Sequence, residues 1–432
     1  MRTAALQNLG CKVNAYETEA MEQMLLKAGY EIVPFNGHAD VYIVNTCSVT
    51  NIADRKSRQM LHRAKKHNPN SVVVATGCYA QTATDKLRED LSIDLIIGNN
   101  KKKEIVDILQ RYFDGEERQE YVIDINHTDE YEDMELATVT EHTRAHIKVQ
   151  DGCNNFCSYC IIPYARGRVR SRSMASIAAE ATELAKQGYK EVVISGINLS
   201  YYKDGEYTLI DVVEMLQGVE GLYRIRFGSL DPEIITEDFV KRLSKLSKVC
   251  PHFHLSLQSG CDNTLKAMNR RYTSGEYFDK CSLIREYFDD PAFTTDVIVG
   301  FPGESEQDYI ASREFVKKVG FSGLHVFKYS RRHGTVADKM DNQINDQIKN
   351  VRSEELIAVG QSLEKEYKDR RLNTSCQVLF EEEIEINNKA YWVGHTPDYI
   401  KVAVESTENL EGSLQNVRIF DYLSHEIMLA SL

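Results

Sequence analysis

At 432 residues the chain exceeds what one hydrophobic core usually supports, so two or three domains are expected. Its 42% hydrophobic and 27% charged content is that of a globular protein, and a net charge of −13 argues against a general polyanion binder, leaving room only for a local basic face. No apolar run reaches the roughly 18 residues that span a bilayer, and Met1-Arg2-Thr3-Ala4-Ala5-Leu6-Gln7 lacks the apolar core of a signal peptide, so a cytoplasmic location without a membrane partner is the expectation.

From Arg2 to Phe113 strand-like apolar runs alternate with amphipathic stretches. Thr3–Leu9, Val41–Asn45, Val72–Ala75 and Asp94–Ile97 read as buried parallel strands, and Thr18–Ala28, Ala53–His67 and Thr84–Glu89 as the helices between them. The pattern predicts an α/β fold beginning with a small doubly wound parallel sheet over residues 1–115. Asp114–Glu141 is polar and acidic with little periodicity, and 116–141 reads as a linker. A second alternation follows, with six strands at Ala145–Val149, Glu191–Ser195, Arg224–Gly228, His252–Leu257, Thr294–Val299 and Gly323–Tyr329. Helical segments such as Ser176–Gln187, Leu209–Leu216 and Ser305–Val319 separate them, and a charged helical stretch runs from Asn342 to Arg371. Six β/α units predict an open (β/α)6 partial barrel over 142–371. From Cys376 to Leu432 short alternating runs broken by turn residues predict a small antiparallel β-barrel, the domain of residues 372–432.

Ten cysteines in a reducing compartment point to metal, redox chemistry or burial rather than to disulfides. Cys153, Cys157 and Cys160 lie in Asp151-Gly152-Cys153-Asn154-Asn155-Phe156-Cys157-Ser158-Tyr159-Cys160, a C-x3-C-x2-C loop just after the first barrel strand. Such spacing wraps thiolates around one soft metal centre. Three thiolates leave one iron of a [4Fe–4S] cube open to a small molecule, whereas zinc would ask for a fourth protein ligand, and no histidine follows within the loop. Cys11, Cys47 and Cys78 are 36 and 31 residues apart, one βαβ unit each, and each ends a strand. In a parallel sheet those ends share one face, where ligands gather, and Gly10 and Gly77 would let backbone approach a bulky cluster. Buried core thiols are the plainer alternative. That reading is kept for Cys250, Cys261, Cys281 and Cys376, which share no pattern.

With these motifs in place, the chain resembles the methylthiotransferases of the radical S-adenosylmethionine superfamily over essentially its full length. The likeness rests on Gly10-Cys11-Lys12-Val13-Asn14 with Tyr16-Glu17-Thr18-Glu19, on Asn45-Thr46-Cys47-Ser48-Val49-Thr50 with Lys56-Ser57-Arg58-Gln59, on Gly77-Cys78-Tyr79-Ala80-Gln81, and on the C-x3-C-x2-C loop. Within the family it is most similar to the bacterial branch acting on tRNA threonylcarbamoyladenosine. Sibling branches acting on isopentenyladenosine or on a ribosomal protein vary the residues after each N-terminal cysteine. The resemblance implies two [4Fe–4S] clusters, one on Cys153, Cys157 and Cys160 that binds S-adenosylmethionine and an auxiliary one on Cys11, Cys47 and Cys78 whose open iron carries sulfur. It implies further that one S-adenosylmethionine methylates that sulfur, while a second yields a 5′-deoxyadenosyl radical that removes hydrogen from C2 of adenosine 37. An electron donor such as flavodoxin or ferredoxin would be needed, and the sulfur donor is left unspecified. A non-catalytic iron–sulfur carrier or an RNA-binding scaffold is the alternative from another class.

Carried onto the barrel strands, the resemblance makes Ser195, Gly196, Ser229, Gln258 and Asp296 cofactor-binding candidates, with capping or pairing within the barrel as the lesser alternative for Asp296. Arg166, Arg168, Arg170 and Arg172 stand at alternate positions after the cluster loop, so an extended segment would point all four one way. That arrangement suits tRNA phosphate near the reacting base and suits a solvated face as well. Arg166, Arg168 and Arg170 are the substrate-binding candidates, and Arg55, Lys56, Arg58, Arg63, Lys65 and Lys66 add positive charge after Cys47. The last segment resembles the small TRAM-like barrel that binds RNA in this family. Yet from Leu372 to Leu432 ten Asp and Glu face three Lys and Arg, a net of −7 against −6 for the rest of the chain. Strong attraction of the tRNA anticodon stem-loop by this module is therefore not expected, and stacking by Tyr391, Trp392 or Tyr399 would have to contribute.

Overall fold

In a computed structural model that describes residues 1–117, 120–134 and 143–432, the apolar runs of the N-terminal part form a six-stranded parallel sheet. Its strands are β1 (Thr3–Asn8), β2 (Glu31–Ile32), β3 (Val41–Thr46), β4 (Val72–Gly77), β5 (Leu95–Ile97) and β6 (Glu120–Tyr121), in the order β2-β1-β3-β4-β5-β6. β3 and β4 are buried at every position because helices cover both faces. Alternate residues sort to the two sides. Val41 and Ile43 pack with Met21 and Leu25 of α1 (Lys12–Lys27) and with the helix Ile105–Phe113, while Tyr42 and Val44 pack with Leu61 and Ala64 of α2 (Asn51–His67). The strand order reverses between β1 and β3, which puts the switch point of the sheet at their C-terminal ends. α1 starts six residues earlier than the apolar pattern indicates, because Cys11 itself occupies the flanking cap position.

The stretch read as a linker lies partly outside the described residues. Its described part is packed: β6 extends the sheet beside β5, the Tyr131 hydroxyl donates to the Lys148 carbonyl at 2.9 Å, and Met134 is buried.

In the central region β7 (Arg144–Asp151), β8 (Arg170–Ser171), β9 (Glu191–Gly196), the hairpin of β10 (Lys203–Asp204) and β11 (Tyr207–Thr208), and β12 (Arg224–Phe227) are followed by β13 (Ser229–Leu230), β14 (His252–Leu255), β15 (Ala292–Val299) and β16 (Gly323–Lys328). Two ladders result, β12-β9-β7-β8 and β13-β14-β15-β16, parallel except for the antiparallel edge β8. They meet where the Ile225 N–H donates to the Lys248 carbonyl at 2.7 Å and the Cys250 N–H to the Ile225 carbonyl at 2.9 Å. All six expected strands are present within two residues of their expected ends. Along β15, Phe293, Thr295, Val297 and Val299 are buried while Thr294, Asp296 and Ile298 are half-exposed, so one edge of the pleat faces an accessible lumen.

The long helix Asp346–Asp369 leads to a closed five-stranded barrel built from Ser375–Ile386, Lys389–His395, Lys401–Val404, Leu414–Tyr422 and Met428–Ser431. Four of its ladders are antiparallel, but Lys401–Val404 pairs in parallel with Met428–Ser431. Tyr391 and Trp392 belong to its core, at 7% and 8% exposure, and are not free to stack on bases. Among the described residues no helix is long and apolar enough to cross a membrane.

Candidate active site

Strand ends bring the first cysteine set to one edge of the N-terminal sheet. Cys11 caps α1 shortly after β1, Cys47 directly follows β3, and Cys78 opens the short helix α3 (Cys78–Thr82) directly after β4. Asparagines fix the turns that carry them. Asn14 accepts from the Cys11 thiol at 3.6 Å and donates to the Asn45 side chain (3.3 Å) and the Thr46 carbonyl (3.1 Å), and Asn45 donates back to the Asn14 carbonyl at 3.0 Å. The Thr46 hydroxyl accepts from the N–H groups of Tyr79 and Ala80 at 3.2 Å each. Gly77 has φ +92°, and a Cβ there would stand 2.5 Å from the Thr46 carbonyl, so only glycine turns the chain into Cys78. Burial, with smaller contributions from Cys78 and Cys11, pushes the Cys47 thiol up to about 11. The three sulfurs therefore share one electrostatic neighbourhood.

The second set lies in the loop between β7 and the short helix Ile162–Arg166. Gly152, at φ +73°, would place a Cβ 1.8 Å from the Arg168 carbonyl, and the Cys153 N–H donates to the Gly167 carbonyl at 3.1 Å. Arg270 donates to the Cys157 thiol at 3.4 Å while pairing with Asp231 at 2.9 Å, and Asn198 donates to the Cys153 sulfur at 3.9 Å. Burial pushes Cys160 up to about 12, with Cys157 adding to it, and raises Cys153 as well. Sequence reasoning misses Arg270 and Asn198. Asn198 stands two residues beyond Gly196 at the same strand end, which is a usable signal; nothing near Arg270 in the chain announces its partner.

Each set offers three soft thiols, which fits an iron–sulfur cube with one open iron better than the four-ligand closure of structural zinc. Among the described residues no group of three or more His, Cys, Asp or Glu is placed to hold a single metal ion.

The strand-end candidates differ in setting. Ser195 is buried with its hydroxyl 3.1 Å from His146 Nδ1, and a Cβ on Gly196 would meet Leu199 at 2.8 Å. Gln150 ties this strand end to the cluster loop: its amide donates to the carbonyls of Asp151 and Gly152 at 2.7 Å and accepts from the Asn198 N–H at 2.7 Å. Ser229 is exposed at the start of β13. Gln258 holds φ +67° and donates its N–H to the Asp296 carbonyl at 2.9 Å. Asp296 sits in mid-strand on the lumen side, its carboxylate 3.5 Å from His254 Nε2.

The arginine run does not form one face. Arg166 ends a helix instead of lying in an extended segment, and its guanidinium is fully buried against Glu17 (2.7 Å), Asn14 (2.8 Å) and Asp151 (3.1 Å). Arg170 is buried and donates to the Arg168 carbonyl at 3.0 Å, and Arg172 is buried against Glu180 and Asp133. Neither Arg166 nor Arg170 can reach phosphate, since neither has a solvent-facing guanidinium. Arg168 alone of the four is exposed, its guanidinium 4.5 Å above the Phe156 ring. Arg55, Lys56, Arg58, Arg63 and Lys66 remain exposed on α2.

Arg166 instead enters a buried charge network between the two cysteine sets. Glu17 on α1 takes Lys102 at 2.5 Å and Lys148 at 2.8 Å in addition to Arg166, and Lys148 reaches Asp151 at 2.7 Å. Burial alone would raise the Glu17 carboxyl, but Arg166, Lys102 and Lys148 outweigh it and hold it well below the usual range. Asn99 adds a second tie, donating to the Cys78 thiol at 3.8 Å and to the Ala165 carbonyl at 2.7 Å.

Two family models match the chain: the radical SAM superfamily over residues 147–316, and the uncharacterized protein family UPF0004 over residues 3–98. A threonylcarbamoyladenosine tRNA methylthiotransferase of Bacillus subtilis (strain 168) is 40% identical over 425 residues, covering 97% of this chain and 94% of that protein. Its counterpart in Thermotoga maritima is 35% identical, with 97% and 94% covered. A tRNA-2-methylthio-N(6)-dimethylallyladenosine synthase of Finegoldia magna is 34% identical, with 96% and 91% covered. Among solved structures, the radical S-adenosylmethionine methyltransferase TsrM of Kitasatospora setae aligns with a TM-score of 0.58 at 13% identity, over 76% of this chain and 72% of that one, a likeness of fold.

Proposed function

The chain belongs to the radical S-adenosylmethionine methylthiotransferase family, and on that premise we propose that it installs a methylthio group at C2 of N6-threonylcarbamoyladenosine 37 in tRNA. The observation that carries the reading is the pair of three-thiol sets tied across one interface, Asn14 and Asn99 touching Cys11 and Cys78 on one side and bonding Arg166 and Ala165, next to the Cys153 loop, on the other. When bound, two [4Fe–4S] clusters and two molecules of S-adenosylmethionine supply the sulfur, the methyl group and the 5′-deoxyadenosyl radical this chemistry needs.

The chain's own residues place and hold. In this reading residues 1–115 carry the sulfur side, 142–371 the radical side, and 372–432 an RNA-binding barrel. Gln150 and Asn198 lock the end of β9 to the cysteine loop, which sets Ser195 and Gly196 beside the S-adenosylmethionine site. Arg270 puts a cation on Cys157 and is itself held by Asp231. Ser229, Gln258 and Asp296 serve as polar contacts for cofactor or base. Exposed Arg168 and the basic side of α2 flank the cysteines and supply phosphate contacts. Electrons come from a small reductant such as flavodoxin or ferredoxin.

Mass spectrometry of tRNA nucleosides from strains with and without the gene tests the assignment. Loss of 2-methylthio-N6-threonylcarbamoyladenosine is the expected result, and loss of the dimethylallyl derivative in its place overturns it. A carrier or scaffold would change neither nucleoside and would release no 5′-deoxyadenosine on reduction of the reconstituted protein.

A further inference from the structure

The barrel lumen has a floor that the steps above do not use. It is built where the strands begin, from Arg144 of β7, Glu191 of β9, Arg224 and Arg226 of β12 and His252 of β14, and it is capped by Tyr399 from the turn before Lys401–Val404 of the C-terminal barrel. The Tyr399 ring stacks between His252 and His395, with centroids 4.9 and 4.8 Å away, and the guanidiniums of Arg226 and Arg144 stand 4.8 and 5.2 Å from its centre. Its φ of +71° is a strained conformation for an aromatic residue, the kind that persists where surrounding structure overdetermines it. Although gripped on these sides, Tyr399 stays 38% exposed, so its free side opens into a water-accessible space.

The cations here are unequally engaged. Arg224 and Arg226 bind Glu191 and fasten the C-terminal barrel through the carbonyls of His395, Gln377, Pro397 and Thr396. Arg144 pairs with Glu381 at 3.2 Å. Lys12, next to Cys11 at the start of α1, is exposed and makes no hydrogen bond or ion pair with any described residue, yet it lies in the field of Tyr399, Arg144, Arg226 and Glu191. Four cations (Lys12, Arg144, Arg224 and Arg226) thus face two carboxylates (Glu191 and Glu381), an excess of two positive charges. The excess shows at Tyr399: burial would raise its phenol, but Arg144, Lys12 and Arg226 hold it below its ordinary value. Higher in the lumen the Asp296 carboxylate stands 3.5 Å from His254 Nε2.

We propose that Lys12, Arg144 and the Tyr399 hydroxyl form a receptor for the carboxylate of the N6-threonylcarbamoyl group, a specificity element that rests on the substrate assigned above. The threonylcarbamoyl arm is about two residues long and reaches roughly 7 Å beyond the base. β9 descends roughly 13 Å from Ser195 to Glu191, a depth that the arm and the long cationic side chains bridge together. A carboxylate accepts from the Lys12 ammonium and the Tyr399 hydroxyl and cancels part of the excess charge. A dimethylallyl arm offers no acceptor and would desolvate Lys12 without a partner, which is how a polar site rejects an apolar analogue.

The test compares anticodon stem-loops carrying threonylcarbamoyladenosine with loops in which the threonyl carboxylate is a neutral carboxamide, using wild-type holoenzyme, Lys12→Met and Tyr399→Phe. Wild type is expected to prefer the carboxylate roughly 10- to 100-fold in kcat/KM, the range of a charge-assisted hydrogen bond. Lys12→Met should abolish that preference and Tyr399→Phe should reduce it several-fold, with binding by fluorescence anisotropy in the absence of S-adenosylmethionine shifting in parallel. Tyr399→Phe, remote in sequence from any cysteine, keeps the test decisive where Lys12→Met loses iron. If both variants retain the wild-type preference, the receptor does not exist. If wild type turns over the dimethylallyl loop and not the threonylcarbamoyl one, the substrate assignment has failed and takes the receptor with it, an outcome distinct from the first.

Discussion

Glu17→Gln removes the hub of the charge network that joins the N-terminal sheet to the barrel. Glu17, Lys102, Lys148 and Arg166 all have side chains at most 1% exposed, and three cations converge on one carboxylate. In the variant Lys148 and Arg166 keep Asp151, whereas Lys102 loses its direct carboxylate and keeps neutral amide oxygens, Asn99 at 2.5 Å among them, and the field of the buried Glu132. Breaking a buried pair typically costs about 3–5 kcal/mol, and the surviving Asp151 contacts put this case at the lower end, about 3 kcal/mol. For a cooperative unit of ordinary size that is a fall in melting temperature of roughly 6–12 °C, read by calorimetry on the metal-free protein. High salt should change it little, because buried charges are poorly screened. The Glu17 carboxyl is held below its ordinary 4.5, so its stabilisation is complete above that pH and is lost only as pH falls toward the depressed value. Adding Lys102→Met should recover about 1 kcal/mol by removing a buried cation that has lost its direct carboxylate. A loss below about 1 kcal/mol, or no recovery in the double variant, would refute the view that Glu17 anchors this interface.

The other expectations are narrower. Arg168→Ala should weaken tRNA binding about three- to tenfold and reduce the salt dependence by about one counterion, whereas Arg172→Ala should destabilise the fold through Glu180 and Asp133; an unchanged salt slope for Arg168→Ala removes it as a phosphate contact. In metal-free protein at pH 8, exposed Cys11 should be alkylated well before Cys47, whose thiol near 11 is almost wholly protonated there, with Cys47 labelling rising about tenfold per pH unit; peptide mapping that shows equal rates contradicts the burial argument. Gly77→Ala should lower reconstituted iron by about half, because the turn into Cys78 has no room for a Cβ, and full iron content would show that this turn is not required.

How much of this is legible before folding depends on whether a feature is local. Parallel strands covered on both faces must be continuous apolar runs, so Val41–Thr46 and Val72–Gly77 announce themselves, and a cysteine just past such a run inherits a position at the sheet edge. The arginine run misleads because alternation assumes an extended chain. Pro163 favours the start of the helix Ile162–Arg166, Gly167 at φ +70° ends it, and the four guanidiniums leave in different directions. Tyr391, Trp392 and Tyr399 look equivalent in sequence, yet the first two fill the C-terminal barrel and the third is pressed into the neighbouring lumen.

Glu17, Lys102, Lys148 and Arg166 show the same limit with a larger consequence. Each taken alone reads as an ordinary surface charge, and they become one network only when four separate segments meet. Arg166 follows Cys160 by six residues and bonds Asn14, which holds the Cys11 thiol. A slide of the helix Ile162–Arg166 against α1 would therefore break Arg166–Glu17 and Asn99–Ala165 before it deformed either cysteine turn. The spacing between the two thiol sets is thus set by buried ionic bonds rather than by loop stiffness, and such bonds penalise any misregister by stranding a charge. That is why a residue chosen as a phosphate contact from its spacing is better understood as a pin between the two thiol sets.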